Sequence, residues 1–286
     1  MSAAPVPMRV TQMLKRRAQA HASRLAFTFH GDDGSVTDSV TYGELESRTR
    51  AIAASLLSTR SSSSAGGAPS LLSPGDAVLL VFLPSLDFIV AFLACLRAKL
   101  IAVPTYPPDP RAMRVNTTLF ASVVQSSGAR VALSHKAYTS KVKAAALAAR
   151  FGIGSGGGAW PELSWMSIED MRTGSDATVP PGLDAAEPSD VAFLQYTSGS
   201  TSEPKGVIVT HSALSANLVT IVTSLKASEK TVVASWLPQY HDMGLVGSYL
   251  GVLFCETRLD ALSKVATRGS ASRLHCDLTP PTTTHL

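Results

Sequence analysis

The residues best equipped for chemistry lie between Tyr196 and Gly206, in the run YTSGSTSEPKG. Thr197, Ser198, Ser200 and Thr201 place four hydroxyls around Gly199 within five residues. Hydroxyls donate hydrogen bonds, and a glycine lets backbone N–H groups close on an anion. Lys205 adds a point charge suited to a terminal phosphate, with Pro204 before it and Gly206 after it. The run is a candidate grip for a polyphosphate. It differs from the nucleoside-triphosphatase loop, whose lysine opens a helix after G-x-x-x-x-G. Here Lys205 leads into Gly206 and a strand-like Val207–Val209. By composition alone the run reads more readily as a solvated Ser/Thr loop with one lysine.

A second run, Ser235–Gly247, reads SWLPQYHDMGLVG. Taken alone, its His241-Asp242 pair is open to three uses: a metal, a proton relay, or plain hydrogen bonding to nearby backbone.

Both runs need a scaffold, and the sequence supplies strands ahead of them. Val191–Tyr196 reads as a buried strand before the first run, and Thr231–Trp236 as a strand before the second. In open parallel sheets, ligands bind in loops just past the carboxyl ends of strands. Upstream, strand and helix patterns alternate. Thr41-Tyr-Gly-Glu44 has capping-box spacing and opens a helix to about Leu57, with Leu45, Ile52 and Leu56 on one face. Ile101–Thr105 reads as a strand, Tyr106–Pro110 as a rigid loop, and Arg111–Ser127 as a helix. Arg130–Ser134 reads as a strand, Lys136–Arg150 and Ser212–Leu225 as helices. Such alternation predicts an α/β fold with a mostly parallel sheet flanked by helices. Ser58–Ser70 and Gly152–Gly158 are too small and polar to pack and read as flexible breaks.

Two segments invite misreading. Ala77–Leu96 is almost wholly apolar and long enough to span a bilayer. Pro84-Ser85-Leu86-Asp87 splits it, since proline breaks a helix and Ser and Asp supply acceptors for a new helix N-terminus. The segment reads as a buried strand, Ala77–Leu83, followed by a buried helix, Leu86–Lys99. Residues 1–31 hold no Asp or Glu but carry Arg9, Lys15, Arg16, Arg17 and Arg24. The helical spacing of Val10, Met13, Leu14, Arg17 and Ala18 favours an ordinary surface helix, with organelle import as the alternative to a cytoplasmic location.

Bulk properties narrow the classes. In 286 residues, 45% are apolar and 16% charged, which suits a globular core. The net charge of +4 is scattered, with no basic block of the kind nucleic-acid binding calls for. Cys95, Cys255 and Cys276 are odd in number and far apart, so neither a disulfide framework nor a zinc cluster is expected.

As a whole, YTSGSTSEPKG resembles the signature of the adenylate-forming, AMP-binding superfamily, with Ser200 where Thr is usual and Ser202 where Gly is usual. The W-L-P-Q-Y-H-D-M-G-L string resembles its fatty acyl-AMP ligase branch. So do Leu25–Phe29, Thr41–Leu45, Pro84–Phe88 and Ala102–Pro108. The resemblance covers residues 10–254, a partial N-terminal domain. It implies that a fatty acid attacks ATP to give an acyl-adenylate and pyrophosphate. It implies ATP and Mg²⁺ as cofactors, and an acyl carrier protein or polyketide-synthase carrier domain as acceptor. Thr197, Ser198, Gly199, Ser200, Thr201, Lys205 and Gly206 would bind the ATP phosphates. Tyr240, His241, Asp242 and Gly244 would border the acyl and AMP pocket, with Gly244 and Gly247 letting a helix pack close to the acyl chain. Neither a membrane span nor a metal ligand is expected within the chain. An acyl-CoA synthetase, or an inactive nucleotide- or acyl-binding regulatory module, remains the alternative.

After Phe254 the resemblance stops. The family's adenine loop, ribose-binding aspartate, magnesium-linked glutamate and catalytic lysine have no counterpart. The expectation is a truncated form whose residues 255–286 are a divergent tail not native to the fold, created by a deletion or altered splice and a shift of reading frame.

Overall fold

The computed structural model describes residues 8–57, 72–108, 113–150, 161–171, 182–197, 204–255, 258–262 and 283–285. The two expected flexible breaks lie outside the described residues, as does most of the phosphate run. In chain order the elements are α1 (Val10–His21), β1 (Leu25–His30), β2 (Val36–Thr41), α2 (Tyr42–Leu57), β3 (Ala77–Val81) and α3 (Leu86–Arg97). Next come β4 (Ile101–Thr105), α4 (Met113–Ser127), β5 (Val131–Ser134), α5 (Lys136–Arg150), β6 (Ser164–Ser167) and α6 (Ile168–Met171). The last part holds β7 (Val191–Thr197), β8 (Lys205–Thr210), α7 (His211–Ser224) and β9 (Val232–Ser235). It continues with a π-helix Met243–Leu250, α8 (Gly251–Cys255), β10 (Arg258–Leu262) and β11 (Thr283–His285).

The strands form two sheets where the alternation suggested one. One runs β6-β5-β3-β4-β7-β8, the other β11-β9-β10-β1-β2. Among the described residues only β1–β2 and β7–β8 pair antiparallel; the other neighbours are parallel. β10, from the segment expected to diverge, lies parallel between β1 and β9.

β3 explains its own apolar run. Val78 and Leu80 face one core, while Leu79 and Val81 face a second core with Phe120, Val123 and Tyr138. A parallel strand covered on both faces has no side left for polar residues. The helix after it is apolar all round for a similar reason. Every α3 residue but Asp87 is buried, because α3 packs on β3 and β4 of one sheet and on β1 and β2 of the other. Among the described residues no helix is long and apolar enough to cross a membrane. Ser85 does sit at the N-cap of α3, but its side chain makes no capping bond. Its hydroxyl instead donates to the Leu83 carbonyl at 3.1 Å and lies 3.1 Å from His135 Nε2.

The capping box at α2 forms as spaced. The Glu44 carboxylate accepts from Thr41 N at 2.9 Å, and Glu44 N donates back to Thr41 Oγ1 at 3.2 Å. Fully buried Arg97 closes the far end of α3. It donates to both Glu46 carboxylate oxygens, at 2.6 and 3.0 Å, and to Asp184 at 2.8 Å. A forked guanidinium is the side chain that can meet two carboxylates at once in a dry interior. Arg17 of α1, expected on a surface helix, is buried too. It donates to the Leu253 and Phe254 carbonyls at 3.1 and 3.0 Å, so it satisfies the open C-terminal end of α8.

Candidate active site

The two-sheet arrangement decides where the chemistry-bearing loops meet. β7 ends one sheet's contribution and β9 the other's, and a buried glutamine joins them. Gln195 Nε2, one residue before Tyr196, donates to the Tyr240 carbonyl at 3.2 Å. The strand that leads into the phosphate run is thereby tied to the second run.

The first run begins and ends on a β-hairpin. Thr197 and Lys205 are cross-strand partners, and both are exposed. Tyr196 pairs with Gly206, and its ring leaves no room for a side chain there: a Cβ on Gly206 would lie 2.9 Å from the ring. The Tyr196 hydroxyl is hydrogen-bonded to that of Ser126 on α4. The hairpin base thus presents a hydroxyl and an ammonium side by side on an exposed edge. Ser198, Gly199, Ser200 and Thr201 lie outside the described residues.

The second run wraps into a tight turn and then the π-helix. His241 N donates to the Pro238 carbonyl at 3.0 Å, and Leu245 N to the His241 carbonyl at 2.8 Å. A Cβ on Gly244 would stand 2.3 Å from the Pro238 oxygen, so the turn closes only over glycine. The side chain of Asp242 accepts from Met243 N at 2.7 Å and opens the π-helix. A π-helical stretch widens the helix by one residue per turn and is common near functional sites.

A cleft of about 210 Å³ lies where the loops of both sheets converge. One wall comes from the turns after β3 and β4, with Leu83, Pro84, Tyr106 and Pro107. The opposite wall is Trp236–Tyr240, and Phe29 and Tyr249 complete the lining. Tyr106 and Tyr240 meet edge to face at 5.6 Å. Burial pushes the Tyr249 phenol up, so it stays neutral at any physiological pH. The cleft is apolar and aromatic, suited to a hydrocarbon chain or a flat ring.

The expected pocket residues divide. Tyr240 lines the cleft. His241 and Asp242 do not: their side chains are 61% and 58% exposed and pair with each other at 2.6 Å, beside the cleft. Gly244 acts by shaping the turn. Gly247 lies away from the cleft, against a small apolar void under α7 with Ile221 and Leu225. Sequence reading assigned no site role to Gln195, Gln239, Phe29, Trp236, the Leu83-Pro84 turn or Tyr106-Pro107. The signal for two of these was present: Tyr106-Pro107 and Leu83-Pro84 both follow buried parallel strands, where ligand loops belong. Nothing marks a buried glutamine in a sequence.

Among the described residues no group of three or more His, Cys, Asp and Glu side chains is arranged to hold a metal ion.

At the hairpin's far end, His211 opens α7. It is buried, its Nδ1 has no hydrogen-bond partner, and burial lowers its pKa from 6.5 to about 4. Arg9 adds to that shift and Asp190 opposes it.

Comparison with known proteins agrees with the geometry. The family model for AMP-binding enzymes matches residues 14–285. A medium-chain fatty acid–[acyl-carrier-protein] ligase, TtuA of Teredinibacter turnerae, is 34% identical over 215 residues, which are 63% of this chain and 32% of that protein. JamA of Moorena producens, described in the same terms, is 26% identical over 257 residues, 89% of this chain and 39% of that protein. The chain therefore spans about a third of the length of these relatives. The fatty acyl-adenylate ligase of L. pneumophila, solved with acyl adenylate and pyrophosphate, superposes with a TM-score of 0.76 at 29% identity. That match covers 95% of this chain and 42% of the ligase. With its paired loops, its cleft and a family match over nearly its whole length, the chain belongs to the AMP-binding enzymes.

Proposed function

We propose that this chain carries the phosphate-gripping and acyl-contacting part of an enzyme that activates a fatty acid with ATP for transfer to a carrier-protein thiol. The observation that carries the proposal is the Gln195–Tyr240 bond, which joins the strand entering the phosphate run to the wall of an apolar cleft. Two similar relatives, TtuA and JamA, are medium-chain fatty acid–[acyl-carrier-protein] ligases, and the L. pneumophila ligase holds an acyl adenylate and pyrophosphate.

A free carboxylate is a poor acyl donor because its leaving group is oxide. Attack of its oxygen on the α-phosphorus of ATP expels pyrophosphate and leaves an acyl-adenylate, whose AMP is a good leaving group. In this reading Lys205 and the hydroxyls Thr197, Ser198, Ser200 and Thr201 neutralise and orient the departing phosphates, and Gly199 admits backbone N–H groups to them. Gly206 keeps the hairpin base narrow by accepting the Tyr196 ring. Tyr240 and the cleft seat the hydrocarbon. His241 and Asp242 stand at the rim, where an imidazole paired to a carboxylate can donate to a carboxylate or phosphate oxygen. ATP and Mg²⁺ are the implied cofactors.

Isotope exchange between pyrophosphate and ATP, driven by a long-chain acid, tests the proposal in the 286-residue chain. Acid-dependent exchange would support the enzyme reading. Nucleotide binding without exchange would reassign the chain as a binding module.

A further inference from the structure

We infer that Gln239 is a positioning residue that sets the separation of the two cleft walls, and through it the recognition of the acid. The inference rests on the functional reading above.

Gln239 is 3% exposed, between two residues that line the cleft, Pro238 and Tyr240. Its side chain reaches across to the turn between β3 and α3. Nε2 donates to the Leu83 carbonyl at 3.0 Å and to the Phe82 carbonyl at 3.4 Å. Oε1 accepts from Ser85 N at 3.0 Å. Pro84 has no N–H, so Ser85 offers the first amide hydrogen past that proline. One carboxamide thus meets two acceptors and one donor of a single turn, all of them backbone.

The arrangement leaves the side chains of Leu83 and Pro84 free to form the first wall, while their backbone is held from the second wall. Ser85 is fixed from the other side as well, by the 3.1 Å approach of its hydroxyl to His135 Nε2. His135 is itself flanked by Asp87 and Glu169, each 3.5 Å from its Nδ1. The first wall is therefore anchored below, and Gln239 fixes the second wall against it. Only an amide fits the three backbone groups. A carboxylate keeps the Ser85 bond but turns oxygen toward two carbonyls, and an apolar chain leaves all three unpaired in a dry place.

The test uses the full chain with Gln239→Glu and the apolar, similar-length Gln239→Met. Binding of a graded series of saturated fatty acids is measured by calorimetry and by tryptophan emission. A Trp236→Phe chain identifies the share of the emission that comes from the cleft wall. Both Gln239 variants are expected to bind the best acid roughly tenfold more weakly, to lose the sharpness of the chain-length preference, and to bind ATP as the wild type does. Unchanged acid affinity and preference in both variants would overturn the assignment. So would collapse of the tertiary fold in both, which would make Gln239 a residue of the fold alone. A wild-type chain that binds no fatty acid would instead overturn the functional reading, and this assignment with it.

Discussion

The two runs that carry the chemistry are held in opposite ways. The Trp236–Gly244 turn is gripped from inside: Gln239 fixes it to the β3–α3 turn, Gln195 holds its Tyr240 carbonyl, and Gly244 closes on Pro238 with no space to spare. Among the described residues, the hairpin that carries Thr197 and Lys205 is held at its base, by β4 alongside β7, by the Tyr196 ring on Gly206 with its bond to Ser126, and by α7 at its end. Val207 and Ile208 of β8 remain exposed. The difference suits the two substrates proposed. An apolar chain gains little from each contact and is recognised by the shape of a rigid wall. A polyphosphate is gripped by charge and many donors, which the sequence concentrates between Thr197 and Lys205.

Several substitutions would break or sharpen this contrast. Gly244→Ala should have the largest effect, a loss of about 3 kcal/mol in denaturant unfolding, because its methyl group meets a backbone oxygen that cannot move aside. Next is the pH dependence of the hairpin's anchor. His211 is held neutral in the folded chain, so the unfolded chain binds the proton more readily. Stability should be complete above pH 6.5 and decline as pH falls from 6.5 toward about 4. A His211→Phe chain should lose that part of the decline in melts across the same range.

Lys205→Ala should lower acid-dependent pyrophosphate exchange roughly tenfold or more, the scale of a lost charge-assisted contact. Its unfolding free energy should stay within about 0.5 kcal/mol of wild type, since Lys205 is exposed. A large loss of stability there would mean that the hairpin is structural. Gly206→Ala should cost about 1 kcal/mol, less than Gly244→Ala, because a phenol ring can tilt where a main chain cannot. Equal costs at the two glycines, measured side by side in urea, would erase the contrast between the runs.

Much of the fold was legible in the residues. The break at Pro84 separated β3 from α3, although the two together are apolar enough to pass for a membrane span. The Thr41–Glu44 spacing placed the start of α2, and the two bonds it predicts are both present. Periodicity alone did not reveal two sheets. A strand's pattern reports which of its faces are buried, and says nothing about which strand lies beside it. For the same reason the antiparallel pairing of β7 with β8 was not legible in their patterns.

The site was legible to a smaller extent. Lys205 and the hydroxyl run stand out because their chemistry is local: donors, a glycine and a charge within a few residues. The sequence by itself therefore determined the candidate phosphate run, the proline breaks, the apolar strands and the family. The tertiary structure decided that His241 and Asp242 stand exposed beside the cleft without lining it, that Leu83, Pro84, Tyr106 and Trp236 build it, and that two buried glutamines hold its walls. Those are long-range facts. Ser85 and Gln239 are 154 residues apart, and Gln195 and Tyr240 are 45 apart. Bonds across such separations exist only once the packing of two sheets around α3 has brought the loops together.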